Sequence, residues 1–551
     1  MGPRLQGELR PDGRLALSLW GAGALAEAQV TPLAPPFVYA PNQLLAAGGG
    51  LHVTRRAPVL IIRGARLIRV KPARRSAAWD RSPGRAEVSV DASRTRVTLP
   101  WAVVVFEQRG PDLVVGAGAD DAELARALSL SVEAIGAEAS AYAAACDRLT
   151  DAEPLLRSMV AAGTHAALAN VRADAAGRFA GVSAGPAYST PARTYFRDSY
   201  WTMPMLRHAL PEVVPLQLDL LATAVHADGE APSGVLAGAP EERRRFERWR
   251  ADDPEASGWR PGDWWSDHFD SPLFFILAVA EQAERDGSPD AVDRWRAPLR
   301  AVFERYDRLA GEDGAPPKPR NDRDWADNVY RSGLVAYDLG LWIGAAEAMA
   351  RLERERDPAL AARALRAAAR ARSASERLWR EADGCWADYA ALDGFVESHL
   401  ALDSLTLLRW GSTPPERARR VLDAAAARLE SRRIARQPHG DWGVLCAWPP
   451  YRRRGDLRGK SAFPLRYHNG GDWPWLDGLY AEARLRRGLP GWRYPLLRWW
   501  RSCLERGWTS PVEHFSPVYG RGSLLQAWSS FPAAVALEHR SAVLAGDPED
   551  G

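Results

Sequence analysis

The chain has 551 residues, 46% of them hydrophobic, and its 72 basic and 69 acidic side chains leave a formal charge of +3. This length exceeds that of one ordinary domain core, so two domains, or one large barrel with an appendage, are expected. Charges of both signs are interspersed, which argues against a continuous basic face for nucleic acid. The four cysteines lie far apart, without CxxC or Cys/His spacing, and predict neither a disulfide framework nor a metal site.

The N-terminal segment MGPRLQGELRPDGRLALSLW lacks the apolar core of a secretion signal. No apolar run in the chain reaches the length of about 18 residues that predicts a membrane-spanning helix. We therefore expect a cytoplasmic protein that binds neither membranes nor nucleic acid. The sequence carries no signal for an oligomeric state.

Short segments rich in β-branched residues occupy residues 1–118. Examples are APVLIIRGARLIRV and RTRVTLPWAVVVFEQRG, and turns rich in glycine, proline and aspartate separate them. This pattern predicts an N-terminal β-sandwich domain. Helical periodicity rich in alanine and leucine then begins and predicts a helical linker over residues 119–150.

Helical periodicity also dominates residues 151–551, with no convincing strand between the helical segments. The predicted helices cover residues 152–172, 198–227, 268–285, 290–310, 328–354, 357–380, 397–410, 414–431, 474–487, 492–506 and 523–541. Such an antiparallel series, joined by alternating short and long connections, predicts an (α/α)6 barrel as the catalytic domain. The long connections are free to carry function and hold clusters of tryptophan, aspartate, glutamate and histidine.

Tryptophan is unusually frequent, with 23 residues concentrated after residue 198. Indole rings stack on the apolar faces of sugars while polar neighbours bond the hydroxyls. Most tryptophans in a large helical protein are nevertheless core residues. We therefore reserve the sugar-binding interpretation for those beside carboxylates or glycines.

The segment NDRDWADNVYRSG crowds Asp322, Asp324 and Asp327 around Trp325. Taken alone, Asp327 fits a first-turn acid of the following helix. Like charges in an apolar pocket, however, raise the pKa of one member, and a protonated carboxyl is the general acid that glycosidic bond cleavage needs. Asp324 competes with Asp327 for this role.

A second acidic candidate, Glu513, lies in the loop segment WTSPVEHFSPVYGRGSLLQAWSS, which precedes a predicted helix. A loop glutamate on its own is more often solvated than catalytic. The segment YHNGGDWPWLDGLYAEA, from Tyr467 to Ala483, places polar side chains, glycines and two indoles at a helix N-terminus. A packed core does not need this arrangement, which is typical of a ligand surface.

The YHNGGDWPWL stretch resembles that of glycogen debranching enzymes of the amylo-α-1,6-glucosidase type, and more distantly the processing α-glucosidases. FRDSYWTMPML, DHFDSPLFFILAVAE, DWADNVYRSGLVAYDLGLWIGAAEAM and SPVEHFSPVYGRGSLLQAWS are similar to further segments of that family, in the same order. The resemblance covers roughly residues 200–540. It implies an inverting, exo-acting glycoside hydrolase that removes a terminal α-linked, glucose-like sugar from an oligosaccharide or glycoconjugate without a cofactor.

The resemblance also implies a role for individual residues. Asp327 would be the general acid and Glu513 the general base. Asp267 competes with Asp270 as a sugar ligand. The implied substrate-binding residues are Arg197, Asp198, Trp201, Asp270, Trp325, His468, Asn469, Trp473 and Trp475.

Two other functions remain open from the sequence. A helical barrel can also support sugar epimerisation or polysaccharide elimination, for which the acid/base candidates are His268, His399, His468 and His514. The chain could equally be a carbohydrate-binding protein without activity. The first alternative predicts that Asp327 and Glu513 are dispensable, and the second predicts sugar binding without turnover.

Overall fold

The computed structural model describes residues 4–55, 57–81, 84–189, 191–238, 240–251, 260, 262–287 and 293–550. Its N-terminal part is built of antiparallel strands: β1 (Leu5–Leu9), β2 (Arg14–Leu19), β3 (Gly23–Val30), β4 (Ala34–Ala40), β5 (Gln43–Ala47), β6 (Gly49–Val53), β7 (Val59–Arg63), β8 (Leu67–Pro72), β9 (Glu87–Val90), β10 (Arg94–Leu99), β11 (Ala102–Arg109) and β12 (Asp112–Gly118).

These strands form two sheets, one in the order β1-β2-β3-β8 and one in the order β4-β5-β6-β7-β12-β11-β10-β9. Alternation along β2 turns Leu15, Leu17 and Leu19 inward. They share one hydrophobic cluster with Val104 and Phe106 of the other sheet. Two antiparallel sheets therefore enclose a common core, and this part of the chain is sheet-rich as predicted.

Two helices follow the sheets, α1 (Asp121–Leu128) and α2 (Val132–Cys146). The side chains of Asp120 and Ser131 cap their N-termini by accepting backbone N–H bonds. Both helices pack against strands of the eight-stranded sheet. They occupy the segment 119–150, for which the sequence predicted helix.

The rest of the chain is mainly helical. Its helices are α3 (Pro154–Ala169), α4 (Phe196–Ala209), α5 (Val213–Ala222), α6 (Pro240–Ala251), α7 (Ser271–Asp286), α8 (Arg296–Ala310), α9 (Ala336–Glu353), α10 (Pro358–Ser375), α11 (Thr406–Trp410), α12 (Pro415–Leu429), α13 (Pro474–Leu485), α14 (Arg493–Glu505), α15 (Phe531–Glu538) and α16 (Arg540–Ala545).

Six of these helices contact one another in a closed ring. The order is α4, α7, α9, α11, α13 and α15, and α15 returns to α4. Helices α3, α5, α8, α10, α12 and α14 pack on members of this ring. Helix α9 is apolar and buried nearly all round, as an inner helix must be, whereas α8 buries one stripe through Leu299, Val302 and Phe303.

Short strands lie between these helices, which corrects the prediction that there are none. They are β13 (Val171–Ala173), β14 (Phe179–Val182), β15 (Arg193–Tyr195), β16 (Pro232–Leu236), β17 (Asp263–Asp267), β18 (Lys318–Asn321), β19 (Arg331–Val335), β20 (Trp379–Arg380), β21 (Cys385–Trp386), β22 (Tyr389–Ala390), β23 (Val396–Glu397), β24 (Leu400–Ala401), β25 (Ala447–Trp448), β26 (Phe515–Ser516) and β27 (Gly520–Arg521). Segments of this length are too short for alternation to be recognised in sequence.

Several predicted helices also differ from the structure. The segment 328–354 begins with β19 and becomes α-helical only in α9, and the segment 523–541 is α-helical only over α15 and the start of α16. The segment 397–410 is helical only over α11 and a preceding 3-10 turn, Leu402–Leu405. The segment 198–227 is divided into α4 and α5 because Pro211 disfavours a helical conformation at Leu210. The start of the predicted helix 290–310 lies outside the described residues.

Within the part that is described, no helix is long and apolar enough to cross a membrane.

Candidate active site

Polar residues converge where the helices of the inner ring begin. Arg197 and Asp198 lie in the first turn of α4, Asp270 precedes α7, and Trp473 precedes α13. Because these helices belong to one ring, their N-terminal ends bring distant segments of sequence together. The partial positive charge of helix N-termini favours carboxylates at this end.

Asp327 lies in the loop before β19 and α9. Its carboxyl accepts a hydrogen bond from the Tyr467 hydroxyl, and its Oδ1 is 3.6 Å from Nδ1 of His468. Burial raises the pKa of Asp327 to about 7; the Arg197 cation opposes this shift and the Glu513 carboxylate adds to it. The Asp327 side chain is nevertheless 45% exposed to water.

Asp324, the competing acid, is enclosed in a different environment. It is fully buried, 3.1 Å from Nη2 of Arg331 and 3.7 Å from Nζ of Lys318. It also accepts the backbone N–H of Ala326 at 2.8 Å. These contacts enclose Asp324 inside the protein, whereas the Asp327 side chain is 45% exposed.

Glu513 is positioned by two donors from distant and local segments. The Tyr188 hydroxyl donates to Oε1 at 2.7 Å, and the backbone N–H of Ser523 donates to Oε2 at 3.1 Å. A Cβ on Gly522 would lie 2.4 Å from Oε2, so a larger residue there would displace the Glu513 side chain. Both oxygens of the Glu513 side chain thus accept one hydrogen bond each.

Asp327 and Glu513 lie close enough to interact electrostatically although they are 186 positions apart in sequence. The charge of Glu513 contributes to the raised pKa of Asp327. The Tyr467 phenol is influenced by both carboxyl groups. The arrangement therefore contains one carboxyl with a raised pKa, that of Asp327, and one that accepts two hydrogen bonds, that of Glu513.

Arg197 forms a buried ion pair with Asp270. Its Nη1 lies 2.7 Å from Oδ2 of Asp270, which also accepts the Tyr337 hydroxyl at 2.9 Å. Nδ1 of His268 is 3.0 Å from the other carboxylate oxygen. Burial alone would raise the pKa of Asp270, but Arg197 and His268 hold it well below its usual range. The competing residue Asp267 instead pairs with Arg323 at the surface.

Asp198 lies beside this pair and is almost fully buried. Burial raises the pKa of Asp198 to about 7, with Arg197 opposing the shift and Glu513 adding to it. Nε2 of Gln526 donates to Oδ1 of Asp198 at 3.1 Å. Arg197 thus acts on both predicted acids, but the pKa of Asp198 is raised whereas that of Asp270 is lowered.

The four predicted tryptophans are enclosed, each with at most 3% of its surface exposed. Trp325 and Trp473 surround His468, whose ring stacks on Trp473 at 4.8 Å between centroids. Trp201 and Trp475 pack on each other one layer deeper, also at 4.8 Å. All four indoles therefore pack inside the protein, where they hold His468 and one another in place.

His468 and Asn469 have separate roles in the structure. Burial lowers the pKa of His468 well below its usual value, and its imidazole is therefore neutral beside Asp327. Asn469 accepts the backbone N–H of Tyr451 at 3.0 Å and donates to the carbonyl of Ser461 at 3.0 Å. Backbone groups of two loops thus occupy both the oxygen and the nitrogen of the Asn469 amide.

Sequence reasoning missed several site residues. Tyr188 stands in a loop without any motif, and Tyr337 looks like an ordinary helix residue. Tyr467 and Gln526 stand inside the recognised blocks YHNGGDWPWL and QAWS, so their positions carried a usable signal.

One group of side chains has the spacing of a metal site. The ligand atoms of His226, Asp228 and Glu230 lie within 4.8 Å of one another. Asp228 and Glu230 already pair with Arg260, and Glu230 also with Arg305. We therefore assign no metal to this group.

Comparison with known proteins identifies the fold. No family model and no curated protein matches the sequence. A bacterial glucoamylase complexed with acarbose matches with a TM-score of 0.59 and 10% identity, covering 97% of this chain and 86% of the glucoamylase. A rhamnosidase from Klebsiella oxytoca with rhamnose bound matches with a TM-score of 0.52 and 14% identity, covering 97% and 89%. Because the identities are this low, the two matches show a shared fold and no more.

Proposed function

We propose that this protein is an inverting glycoside hydrolase with an (α/α)6-barrel catalytic domain. The closed ring of six helices, with six more packed on it, supports the barrel. The domains we propose are an N-terminal β-sandwich at 1–118, a helical linker at 119–150 and the catalytic barrel at 151–551. The fold shared with a glucoamylase and a rhamnosidase supports a sugar substrate.

The observation that carries this proposal is the contrast between Asp327 and Glu513. Asp327 favours the protonated form near neutral pH, and Glu513 is held by the donors Tyr188 and Ser523. In an inverting reaction a general acid protonates the leaving oxygen while a general base activates water on the opposite face of the sugar. Asp327 is the acid and Glu513 the base in this scheme.

Proton flow then follows from the contacts of each group. Asp327 gives its proton to the glycosidic oxygen, and the bond from that oxygen to the anomeric carbon breaks. Water attacks the anomeric carbon from the other side and passes one proton to Glu513. Tyr467, which bonds the Asp327 carboxyl, stabilises the carboxylate left after proton transfer.

The terminal sugar binds on the side of Arg197, Asp198 and Asp270. Nε of Arg197 lies buried with no hydrogen-bond partner among the described residues, so it is a donor left for a ligand. Its partner Asp270 fixes the guanidinium in place. The neutral imidazole of His468 adds a second directional contact near Asp327.

A product screen tests the reaction class. The purified protein is incubated with α- and β-linked gluco-, manno- and galacto-oligosaccharides, and the anomer released is followed by proton NMR. Release of a terminal α-linked sugar as the inverted anomer is the expected result. Release with retained configuration would overturn the inverting mechanism, and absence of release from every sugar would favour the histidine-based reactions or a binding role.

A further inference from the structure

Two exposed aromatic side chains face each other on the loops that carry the site. Phe463 and Tyr519 are 49% and 43% exposed, and their ring centroids are 6.1 Å apart. Phe463 lies in the loop leading to Tyr467, and Tyr519 lies in the loop between Glu513 and Gly522. Adjacent exposed rings from two segments form an apolar surface of the kind that interaction sites use.

Arg466 covers this aromatic pair. Its guanidinium carbon is 4.9 Å from the Tyr519 ring centre and 5.7 Å from that of Phe463. Within the described part of the chain, its side chain forms no ion pair or hydrogen bond. Five N–H donors in a rigid plane are therefore available beside the two rings.

A buried histidine lies within electrostatic range of Arg466. His514 is 6% exposed, and neither ring nitrogen has a hydrogen-bond partner among the described residues. Its ring is 4.9 Å from that of Tyr467. Burial lowers the pKa of His514 to about 4; Glu513 opposes this, and the cations of Lys460 and Arg466 add to it. A neutral imidazole offers one donor and one acceptor, which is what a sugar hydroxyl needs.

We propose that this aromatic pair, with Arg466 and His514, binds the leaving group of the substrate, and that the leaving group is itself a pyranose ring. The inference rests on the proposed hydrolase function. The rings would stack on the apolar face of the sugar, while Arg466 and His514 bond its hydroxyls.

The position of this subsite relative to the acid supports the assignment. Asp327 protonates the oxygen that joins the two parts of the substrate, so the leaving group must pass beside Asp327. Tyr467 bonds Asp327 and also contacts His514, and Arg466 is its neighbour in sequence. Tyr467 thus connects the proposed subsite with the general acid Asp327.

The test compares substrates that differ only in the leaving group. Wild type, Phe463→Ala and Tyr519→Ala are assayed on maltose, nigerose, kojibiose and isomaltose, and on α-D-glucosyl fluoride, whose leaving group has no ring. We expect either variant to lose about tenfold in kcat/KM on the disaccharide that wild type cleaves, a loss typical of an aromatic contact. Activity on the fluoride should be unchanged.

Tyr39→Ala is the matched control. Tyr39 is 49% exposed and its ring lies 6.2 Å from that of Phe37, but it belongs to β4 of the N-terminal sheets. This variant should behave as wild type on both substrates.

Any other outcome would contradict the proposed subsite. Equal losses on disaccharide and fluoride, or no loss on either, would contradict a leaving-group contact. A wild type that cleaves the fluoride but no disaccharide would contradict a pyranose leaving group. A wild type that cleaves neither would overturn the proposed function for these glucosides, and the subsite with it.

Discussion

The hydroxyl of Tyr188 donates a hydrogen bond of 2.7 Å to Oε1 of Glu513 across 325 positions of sequence. Tyr188 lies in the loop before β15, whereas Glu513 lies in the loop before α15. The bond therefore joins the two ends of the helical region at the point where we place the general base. It holds Oε1 of the Glu513 side chain in place.

Tyr188→Phe should lower kcat/KM by about tenfold or more, because a hydrogen bond to a charged group contributes about 1.5–3 kcal/mol. Steady-state kinetics on the substrate found in the product screen measures the loss. Tyr142→Phe is the control, since its hydroxyl bonds His165 at 3.0 Å in another part of the molecule. Unchanged kinetics in Tyr188→Phe would show that this bond does not support catalysis.

Gly522→Ala should reduce turnover while preserving the fold. The added Cβ would lie 2.4 Å from Oε2 of Glu513 and 2.6 Å from Cδ2 of His514, so both side chains must move. Gly455→Ala, whose Cβ meets no atom within 4 Å, serves as the control. Circular dichroism and kcat are compared for both variants. Full activity in Gly522→Ala would mean that the position of Glu513 tolerates displacement.

Asp270→Asn should destabilise the protein by about 3–5 kcal/mol, because it leaves the buried Arg197 cation without its counterion. Asp267→Asn removes a surface ion pair with Arg323 and should cost about 1 kcal/mol at most. The midpoints of thermal unfolding, measured side by side, test the difference. Similar midpoints for the two variants would contradict a structural role for the Arg197–Asp270 pair.

Asp327→Asn should change stability in a pH-dependent way. The pKa of Asp327 is raised from 3.8 to about 7 in the folded protein, so the folded state holds this proton more tightly than the unfolded state. The stability that results is present below pH 4 and is lost as the pH rises through about 7. An asparagine does not ionise, so the variant should gain relative to wild type between pH 4 and pH 8.

Thermal unfolding at pH 4, 6 and 8 measures this gain. Asp12→Asn is the control: the backbone N–H of Arg14 lowers the pKa of Asp12 below 3.8, so the difference between this variant and wild type should stay nearly constant over the range. A constant difference between wild type and Asp327→Asn across this range would contradict the raised pKa.

Much of the architecture was accessible from the sequence. Periodicity located most of the helices, and β-branched segments located the N-terminal strands, because each pattern reflects which side chains face a core. The short strands were not accessible, since two to five residues carry no readable period. Helix 397–410 was overestimated because its buried residues, such as Leu400 and Leu402, follow an extended and then a 3-10 path.

The candidate site was accessible only in part. Asp324 and Asp327 lie on either side of Trp325 in sequence. The sequence of this segment does not show that Asp324, and not Asp327, forms a buried ion pair with Arg331. Asn469 belongs to the YHNGGDWPWL segment, but its side-chain amide bonds the backbone of Tyr451 and Ser461. Tyr188 could not be found, because its partner Glu513 is distant in sequence and its loop has no pattern.

The turnover number of Asp327→Asn, relative to wild type, shows whether Asp327 is the general acid. Asp322→Asn, which removes a neighbouring carboxyl, is assayed in parallel on the same cleaved substrate. We predict a loss of about 10²–10⁴-fold for Asp327→Asn, the contribution of a positioned general acid, and little change for Asp322→Asn. A folded Asp327→Asn protein with near wild-type turnover would contradict the account.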